Sequence, residues 1–208
     1  MLLVNPHLTR LYLASRSPRR RELLTQIGIQ FDTVLFRNHP REDKEVDETP
    51  HAGEAPQIYV ERVARAKAVH GSRIVGWRRM QPQPVLAADT TLEVDGEIIG
   101  KPVDGEDAKA ILRRLSGRSH RVLTAVAVAL DGRVEARLSV SEVRFCVLDE
   151  AQIASYVASG EPMDKAGAYG IQGRAAQFIE HLTGSYSGVM GLPLFETAEL
   201  LRSFGFLV

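Results

Sequence analysis

One carboxylate, Asp89, follows a short apolar run in a position that suits acid–base chemistry. Residues 85–88 are too few for a helix and fit a buried strand that ends at Asp89. In open α/β sheets, ligands bind at the carboxyl ends of the strands. An acid there can exchange a proton with a ligand, although an aspartate after a strand is also a common turn residue. Asp89 is therefore a candidate catalytic residue, and the groups that converge on it decide between the two interpretations.

A predicted hairpin returns the chain toward this acid. The Asp-Gly pair at 95–96, flanked by apolar residues, is a strong signal for a tight β-hairpin. The chain then reaches Lys101, which stands between a glycine and a proline. The Lys101 ammonium could face the same cleft as Asp89, or it could be a solvated surface group.

Arginines follow the first predicted strand, residues 11–14. Ser17 suits an N-cap and Pro18 the first helical position, so Arg19 and Arg20 would lie in the first turn of a helix. A helix N-terminus already carries about half a positive charge, so further cations there indicate an anionic partner. Free backbone N–H groups and guanidinium groups together suit a phosphate. A solvated basic turn is the alternative.

The next loop and helix supply further charged groups. The polar loop at 37–54 contains Asp47 and Glu48, either of which could act as a second carboxylate. The helix that begins after it places Lys67 on an otherwise apolar face. This lysine could extend to solvent or reach a ligand.

The segment 161–173 is rich in glycine, with three of them in the seven residues 167–173. Glycine lets the backbone approach a ligand closely. Lys165 adds positive charge, and Gln172 adds an amide that both donates and accepts hydrogen bonds. These features are typical of a loop that recognises a base and its phosphates, although a pair of tight turns would need the same glycines.

Several common catalytic motifs are absent from the sequence. It contains no G-x-S-x-G elbow, no H-E-x-x-H pair and no Walker-type glycine run. The 6 histidines are scattered, which argues against a histidine-rich metal site. The remaining groups are carboxylates and cations, and they favour a hard divalent cation, Mg²⁺ or Mn²⁺, with oxygen ligands.

The elements that must position these groups alternate between strands and helices. Helices are predicted to begin near residues 18, 56, 104, 149 and 193, and a basic loop is expected at 71–84. Together the elements indicate an α/β protein. The predicted strands span residues 11–14, 31–36, 85–88, 92–94, 98–99, 120–130, 134–148 and 175–182.

Length and composition describe an ordinary globular protein. The 208 residues suit one domain, or two lobes that share a sheet. The 26 basic residues balance 26 acidic ones, so no stable nucleic-acid complex is expected. The single cysteine, Cys146, lies in an apolar run; we expect it to pack in the core, and it fits a reducing compartment. With no leader and no apolar stretch of ~18 residues, we expect a cytoplasmic protein without a membrane partner.

Four segments resemble the Maf family of nucleotide pyrophosphatases in order and spacing: LYLASRSPRRRELL, AADTTLEVDGEIIGKP, LSGRSHRVLTAVAV and EPMDKAGAYGIQG. The resemblance covers nearly the whole chain. It implies one domain over residues 1–208, with a two-lobed mixed twisted sheet, flanking helices and a central cleft, similar to inosine triphosphate pyrophosphatases. It also implies a homodimer and metal-dependent cleavage of a nucleoside triphosphate to the monophosphate and pyrophosphate. AYGIQG is similar to the branch that acts on dTTP and UTP, and unlike the branch that acts on 7-methyl-GTP.

The resemblance also implies a role for each candidate residue. Asp89 matches the family's proton acceptor and Glu48 its second acid, so these two would hold the metal. Arg19, Thr90 and Gln172 match its specificity positions. The phosphate-cleft positions are matched by Ser15, Arg20, Lys67, Lys101 and Lys165.

Two other interpretations remain open. A non-catalytic nucleotide or nucleic-acid binding regulator of cell division would use the same cations without hydrolysis, although binding alone hardly needs an acid beside phosphates. A modified pyrimidine triphosphate could also be the true substrate of an enzyme that accepts the ordinary ones.

Overall fold

A computed structural model describes residues 8–36 and 46–208. Within them, seven strands form one mixed sheet. The strands are β1 (Arg10–Leu13), β2 (Gln30–Thr33), β3 (Val85–Val94), β4 (Glu97–Ile99), β5 (Ser119–Leu130), β6 (Arg133–Phe145) and β7 (Ile179–Thr183). The helices are α1 (Pro18–Gln26), α2 (Pro56–Trp77), α3 (Gly105–Leu115), α4 (Glu150–Ala158), α5 (Tyr186–Met190) and α6 (Leu194–Ser203). Short 3₁₀ helices span Glu161–Asp164, Ala166–Ala168 and Arg174–Phe178.

The sheet forks along one edge of β3. Its order is β2-β1-β3-β5-β6-β7, and β4 also pairs with β3. The antiparallel strand β5 follows one edge of β3 along nearly its full length. On the other edge, β1 lies parallel beside Val85 and Leu86, whereas β4 pairs antiparallel from Leu92 onward. Among the described residues, no strand covers the stretch between them, and a cleft opens there.

The prediction that Asp89 ends its strand is wrong. β3 continues through Asp89 to Val94, and Asp89 pairs with Ala125 of β5. The strand that does end is its parallel neighbour β1, at Leu13. Asp89 lies in the middle of β3, beyond the point where β1 ends, and its side chain lines the cleft there.

The second helix is longer than predicted. α2 passes through Gly71 to Trp77, where the sequence indicated a loop at 71–84. A Cβ at position 71 would lie 2.8 Å from a methyl group of Val85 and 3.1 Å from the Cβ of Ala14. Glycine here therefore lets α2 approach the sheet closely instead of ending it, and Lys67 lies in mid-helix.

Most local signals predicted their elements correctly. Both Asp-Gly pairs, at 95–96 and 131–132, have positive φ at both residues and form the hairpins. The side chain of Asp104 caps α3, and Asp149 forms a capping box at α4. The predicted strand at 175–182 is instead a 3₁₀ turn followed by β7, and α5 was not predicted.

Apolar packing divides the fold into two lobes that share the long strands. In the first lobe, α2 packs on one face of the sheet, with Val60 and Val63 against Val85, and α1 and α6 pack on the other. In the second lobe, α3, α4 and the 3₁₀ segments enclose a cluster that includes Phe145 and Tyr156. Cys146 packs at the margin of this cluster. The expected two-lobed α/β fold with a central cleft is confirmed.

None of the helices in the described part of the chain is long and apolar enough to cross a membrane.

Candidate active site

A cavity of about 890 Å³ lies in the cleft beside β3. The structure brings to its wall every residue to which the family resemblance assigns a role. They are Ser15, Arg19, Arg20, Glu48, Lys67, Asp89, Thr90, Lys101, Lys165 and Gln172. The two loop acids differ in position: Glu48 lines the cavity, whereas the Asp47 carboxylate accepts a hydrogen bond from the Thr49 N–H at 2.8 Å.

Three side chains, Glu48, Lys67 and Asp89, form what we call the acid cluster. Asp89 lies on the face of β3 that packs against α2, and the Lys67 ammonium donates to its Oδ1 at 2.9 Å. The same ammonium lies 2.8 Å from Oε2 of Glu48. The Lys67 and Asp89 side chains are 14% and 11% exposed, so this contact is largely shielded from water. In the described residues, Asp89 Oδ2 has no protein partner.

The Arg20 guanidinium is held on three sides by the protein. Its Nε donates to the carbonyl of Gly191 at 2.7 Å, and its Nη atoms donate to the hydroxyls of Ser15 at 3.4 Å and Thr90 at 3.3 Å. Burial lowers the pKa of Arg20, and the charge of Asp89 opposes that shift. These contacts fix the positive charge of Arg20 between the N-terminus of α1 and Thr90.

The predicted cap of α1 takes a different form from the one expected. Ser17 occupies the N-cap position, but its side chain makes no capping bond, and its N–H donates instead to Ser15 Oγ at 3.2 Å. Of the three arginines in the first turn, Arg21 is exposed and does not line the cavity. The predicted anion-binding turn therefore consists of Ser15, Arg19 and Arg20.

Arg19, Lys101 and Gln172 form the unpartnered group. None of these side chains makes a hydrogen bond or an ion pair with any residue that the structure describes, and all three line the cavity. Lys101 and Gln172 are exposed. Their donors and acceptors are free to meet a ligand.

The glycine-rich segment that carries Lys165 is fixed by its own hydrogen bonds. The Lys165 ammonium donates to the carbonyl of Glu161 and to Asp164 Oδ1, both at 2.6 Å. The Glu161 carboxylate accepts from the Tyr156 hydroxyl at 2.9 Å and from the Arg174 N–H at 3.0 Å.

Close contacts explain two of the glycines in this segment. A Cβ at Gly173 would lie 2.1 Å from an oxygen of Glu161. At Gly167, φ is +73° and the N–H donates to the carbonyl of Gly100 at 2.9 Å, next to Lys101. Gly173 thus permits close packing on Glu161, and Gly167 permits a turn with positive φ, which fits the tight-turn interpretation of this segment.

Sequence reasoning missed a buried pair behind this segment. The Tyr169 ring lines the cavity, and its hydroxyl lies 2.8 Å from Nε2 of His120 on β5. Burial lowers the pKa of His120 to about 4 and raises that of Tyr169. Both groups are neutral at physiological pH and anchor the segment from the core side. A lone histidine at the start of a strand gave no signal for this contact.

Sequence reasoning also missed the support that comes from α5. Thr124 Oγ1 lies 3.0 Å from Thr90 Oγ1 and donates to the carbonyl of Gly188 at 2.7 Å. The Gly191 carbonyl accepts from Arg20, so α5 and the residues after it support both Thr90 and Arg20. Backbone carbonyls of a five-residue helix leave no pattern in side-chain types.

The donor set of the acid cluster is compatible with a divalent cation. Oxygens of Glu48 and Asp89 both face the Lys67 ammonium, so they converge on a point that accepts positive charge. Across residues 8–36 and 46–208, no group of three or more His, Cys, Asp or Glu side chains could hold a metal. Mg²⁺ is often bound by one or two carboxylates together with substrate phosphates and water, and these two residues match that pattern.

The forked sheet and the charged cleft define an α/β protein in which a carboxylate and several cations line one cavity. Residues 10–204 match the family described as Maf-like protein, and the chain belongs to that family.

Close relatives share nearly the full length. A protein of Dechloromonas aromatica (strain RCB) described as dTTP/UTP pyrophosphatase is 67% identical over 197 residues, which are 95% of this chain and 98% of that protein. A protein of Aromatoleum aromaticum with the same description is 63% identical over 204 residues, 98% of this chain and 99% of the relative. Among solved structures, the Staphylococcus aureus Ham1 protein has a TM-score of 0.49 and 14% identity, over 94% of this chain and 97% of that chain. This last likeness is too weak to carry an argument.

Proposed function

We propose that this protein is a nucleoside triphosphate pyrophosphatase that hydrolyses dTTP and UTP to the monophosphate and pyrophosphate. One observation carries the proposal: Asp89 shares a single cavity with six cationic residues, and five of them, Arg19, Arg20, Lys67, Lys101 and Lys165, are the predicted ones. A triphosphate needs positive charge along its length and an acid–base group at the phosphorus that reacts. Relatives at 67% and 63% identity carry the description dTTP/UTP pyrophosphatase.

Asp89 is the proposed proton acceptor. Lys67 fixes its Oδ1, and Oδ2 has no partner among the described residues, so it can hold a water molecule. As the oxygen of that water bonds to the α-phosphorus, its proton passes to Asp89 and later to solvent. The bond from the α-phosphorus to the bridging oxygen breaks, and pyrophosphate leaves with the electron pair.

Two of the cations, Arg20 and Lys165, are proposed to stabilise the charge that gathers on the departing pyrophosphate. Arg20 and Lys165 are already held in place by the protein, so they need little reorganisation during the reaction. Arg19 and Lys101 have free donors, and we assign them to direct phosphate contacts. Ser15 and Thr90 keep Arg20 oriented.

Gln172 is the proposed base-reading residue. Uracil and thymine present carbonyl acceptors beside an N–H donor, and an amide side chain complements both. Its side chain has no partner in the described part of the chain and lies at the cavity wall.

A divalent cation, Mg²⁺ or Mn²⁺, is the proposed cofactor, and Glu48 and Asp89 would hold it. When bound, it would offset phosphate charge and polarise the phosphorus–oxygen bonds. Lys67 would then share these carboxylates with the metal.

The test is a product assay on purified protein with dTTP, UTP, GTP, ATP and a modified pyrimidine triphosphate, with and without Mg²⁺ or Mn²⁺. We expect the protein to release pyrophosphate and not inorganic phosphate. Its activity should be higher with pyrimidine than with purine triphosphates and should be lost when a chelator is added. Tight binding without any product would instead support the regulator interpretation. A strong preference for the modified pyrimidine would name it as the true substrate.

We further propose a cytoplasmic homodimer without a stable nucleic-acid complex, on the strength of the family resemblance and the balanced charge. Sedimentation at several protein concentrations, with and without a DNA or RNA oligomer, tests the two associations. A monomer at all concentrations would contradict the homodimer. Co-sedimentation with the oligomer would contradict the absence of a stable nucleic-acid complex.

A further inference from the structure

One arginine on α2 holds the loop that carries Glu48. Nη1 of Arg62 donates to the carbonyl of Asp47 at 2.9 Å, and Nη2 donates to the carbonyl of Thr49 at 2.9 Å. The guanidinium is itself oriented by Glu54, whose two carboxylate oxygens accept from Nε at 2.7 Å and from Nη2 at 2.8 Å. The backbone on both sides of Glu48 is therefore bound to a single side chain.

Tyr59, one turn before Arg62 on the same helix, binds the backbone carbonyl that lies between those of Asp47 and Thr49. The Tyr59 hydroxyl donates to the carbonyl of Glu48 at 3.0 Å. The Tyr59 side chain is buried, and its ring lies beneath the Arg62 guanidinium, 5.6 Å from Cζ to the ring centroid. Three successive carbonyls, at residues 47–49, are thus bound by two neighbouring side chains of one rigid helix.

The loop has no regular structure that could do this work. Residues 46–55 contain no helix or strand, and the Glu48 side chain is 53% exposed. A carboxylate on such a loop has many accessible positions, and restricting them costs backbone entropy. The 2.8 Å contact between the Glu48 carboxylate and the Lys67 ammonium therefore depends on the side chains that fix the loop backbone.

We propose that Arg62 and Tyr59 are positioning residues that place the Glu48 carboxylate beside Lys67 and Asp89. Tyr59 also lines the cavity, but the role assigned to both residues is to act through Glu48 and not through a phosphate or base contact. The inference rests on the proposed function only in so far as Glu48 takes part in turnover, because the placement of the loop is a property of the protein without ligand.

The chemistry of the contact requires an arginine. The Glu54 side chain is only 6% exposed, and its hydrogen bonds from Arg62 and from the His51 N–H lower its pKa to about 2, so it is a carboxylate at neutral pH. A planar guanidinium can bind this carboxylate and two carbonyls at once. A lysine is a compact point charge without that fork, so Arg62→Lys keeps the charge and loses the geometry.

The first test is a double-mutant cycle with a matched control. Arg62→Lys should lower UTP turnover about tenfold, the size expected when charge-assisted hydrogen bonds are lost. Arg65→Lys should change it less than about twofold, because Arg65 lies on the same helix but binds Glu61 and the carbonyl of Val134. In a Glu48→Gln background, Arg62→Lys should cost little more, since the residue through which it acts is already disabled. An equal loss in both backgrounds would overturn the proposal.

The second test needs no activity. The N–H groups of Thr49, His51 and Glu54 all donate within the loop, so their hydrogen exchange reports its order. We expect faster exchange at residues 46–55 in Arg62→Lys and in Tyr59→Phe, and unchanged exchange in Arg65→Lys. Exchange that stays at the wild-type rate in both variants would overturn the proposal. If the wild-type protein hydrolysed no triphosphate, the proposed function would fail while this measurement still decided the placement of the loop.

Discussion

The acid cluster and the unpartnered group share one cavity but differ in how the protein treats their side chains. In the acid cluster, Lys67 joins Glu48 and Asp89 at 2.8 and 2.9 Å. In the unpartnered group, Lys101 and Gln172 are exposed and make no hydrogen bond or ion pair within the described residues. The protein fixes one set of groups before a ligand arrives and leaves the other set free.

Under the proposed function, this difference separates the groups that take part in the reaction from the groups that recognise the ligand. Groups that stabilise a transition state are most effective when their positions are set in advance, because no reorganisation is then needed during the reaction. Groups that only bind can be ordered by the ligand, at a cost of about 0.5–1.5 kcal/mol for each side chain. Substitutions in the acid cluster should therefore affect turnover, and substitutions in the unpartnered group should affect affinity and selectivity.

The largest effect is expected for Asp89→Asn. The change keeps the shape of the side chain and removes the proton acceptor, so turnover of UTP should fall by about 10² or more while UTP still binds. Pyrophosphate release gives the turnover, and equilibrium binding gives the affinity. Wild-type turnover in this variant would remove Asp89 from the mechanism.

Lys101→Ala should affect binding instead. Removing a free cation that meets phosphate should raise KM about tenfold, with the free energy of unfolding changed by less than about 0.5 kcal/mol. Lys109→Ala is the control, since that lysine pairs with Glu106 on the surface of α3. If Lys101→Ala lowered kcat and left KM unchanged, the division between the two regions would be wrong.

The stability of the protein should depend on pH through His120, which packs behind the glycine-rich segment 161–173. Burial lowers the pKa of His120 from 6.5 to about 4, so below pH 6.5 the unfolded chain takes up a proton that the folded chain refuses. The stability contributed by neutral His120 is therefore complete above about pH 6.5 and is lost as the pH falls toward 4. Between about pH 7.5 and about pH 5.5 the loss should be about 1 kcal/mol.

Urea unfolding of the wild type and of His120→Gln at both pH values isolates this contribution. The stability advantage of the wild type should shrink at the lower pH, because glutamine does not titrate. An advantage that stays constant would show that the histidine is not held neutral by the fold.

The smallest effect is expected for Gln172→Ala. Loss of one base contact should reduce the preference for UTP over GTP by a few fold, which corresponds to about 1 kcal/mol, and should leave turnover of UTP largely intact. Gln177→Ala is a suitable control, because Gln177 lies nearby in the chain and donates to the Arg174 carbonyl outside the cavity. An unchanged ranking of the two nucleotides would assign base reading to another residue.

Short-range signals predicted much of this fold and site. The Asp-Gly hairpins and the caps of α3 and α4 depend on residues a few positions apart, so their sequence patterns are sufficient. Most of the candidate residues were found by the type and context of single side chains, whereas Ser15 and Thr90 came from the family resemblance, and all those that the resemblance assigns a role line one cavity.

Long-range packing accounts for what the sequence did not predict. The sequence indicated that the helix ends at Gly71, but glycine is needed there because of a tertiary contact. A Cβ at position 71 would lie 2.8 Å from a methyl group of Val85. Asp89 looked like the end of a strand because pairing with β5, and not the local pattern, extends β3. The sequence offered no signal for the role of Arg62, since two of its partners are backbone carbonyls, which any sequence would offer.

The central claim is that one triphosphate contacts both regions at once, and a crystal structure with a UTP analogue that carries a non-hydrolysable α,β-imido link tests it most directly. The account predicts the α-phosphate beside Asp89, the outer phosphates against Arg19 and Lys101, and uracil at Gln172. An analogue bound with its phosphates away from Asp89, or outside the cleft, would contradict it.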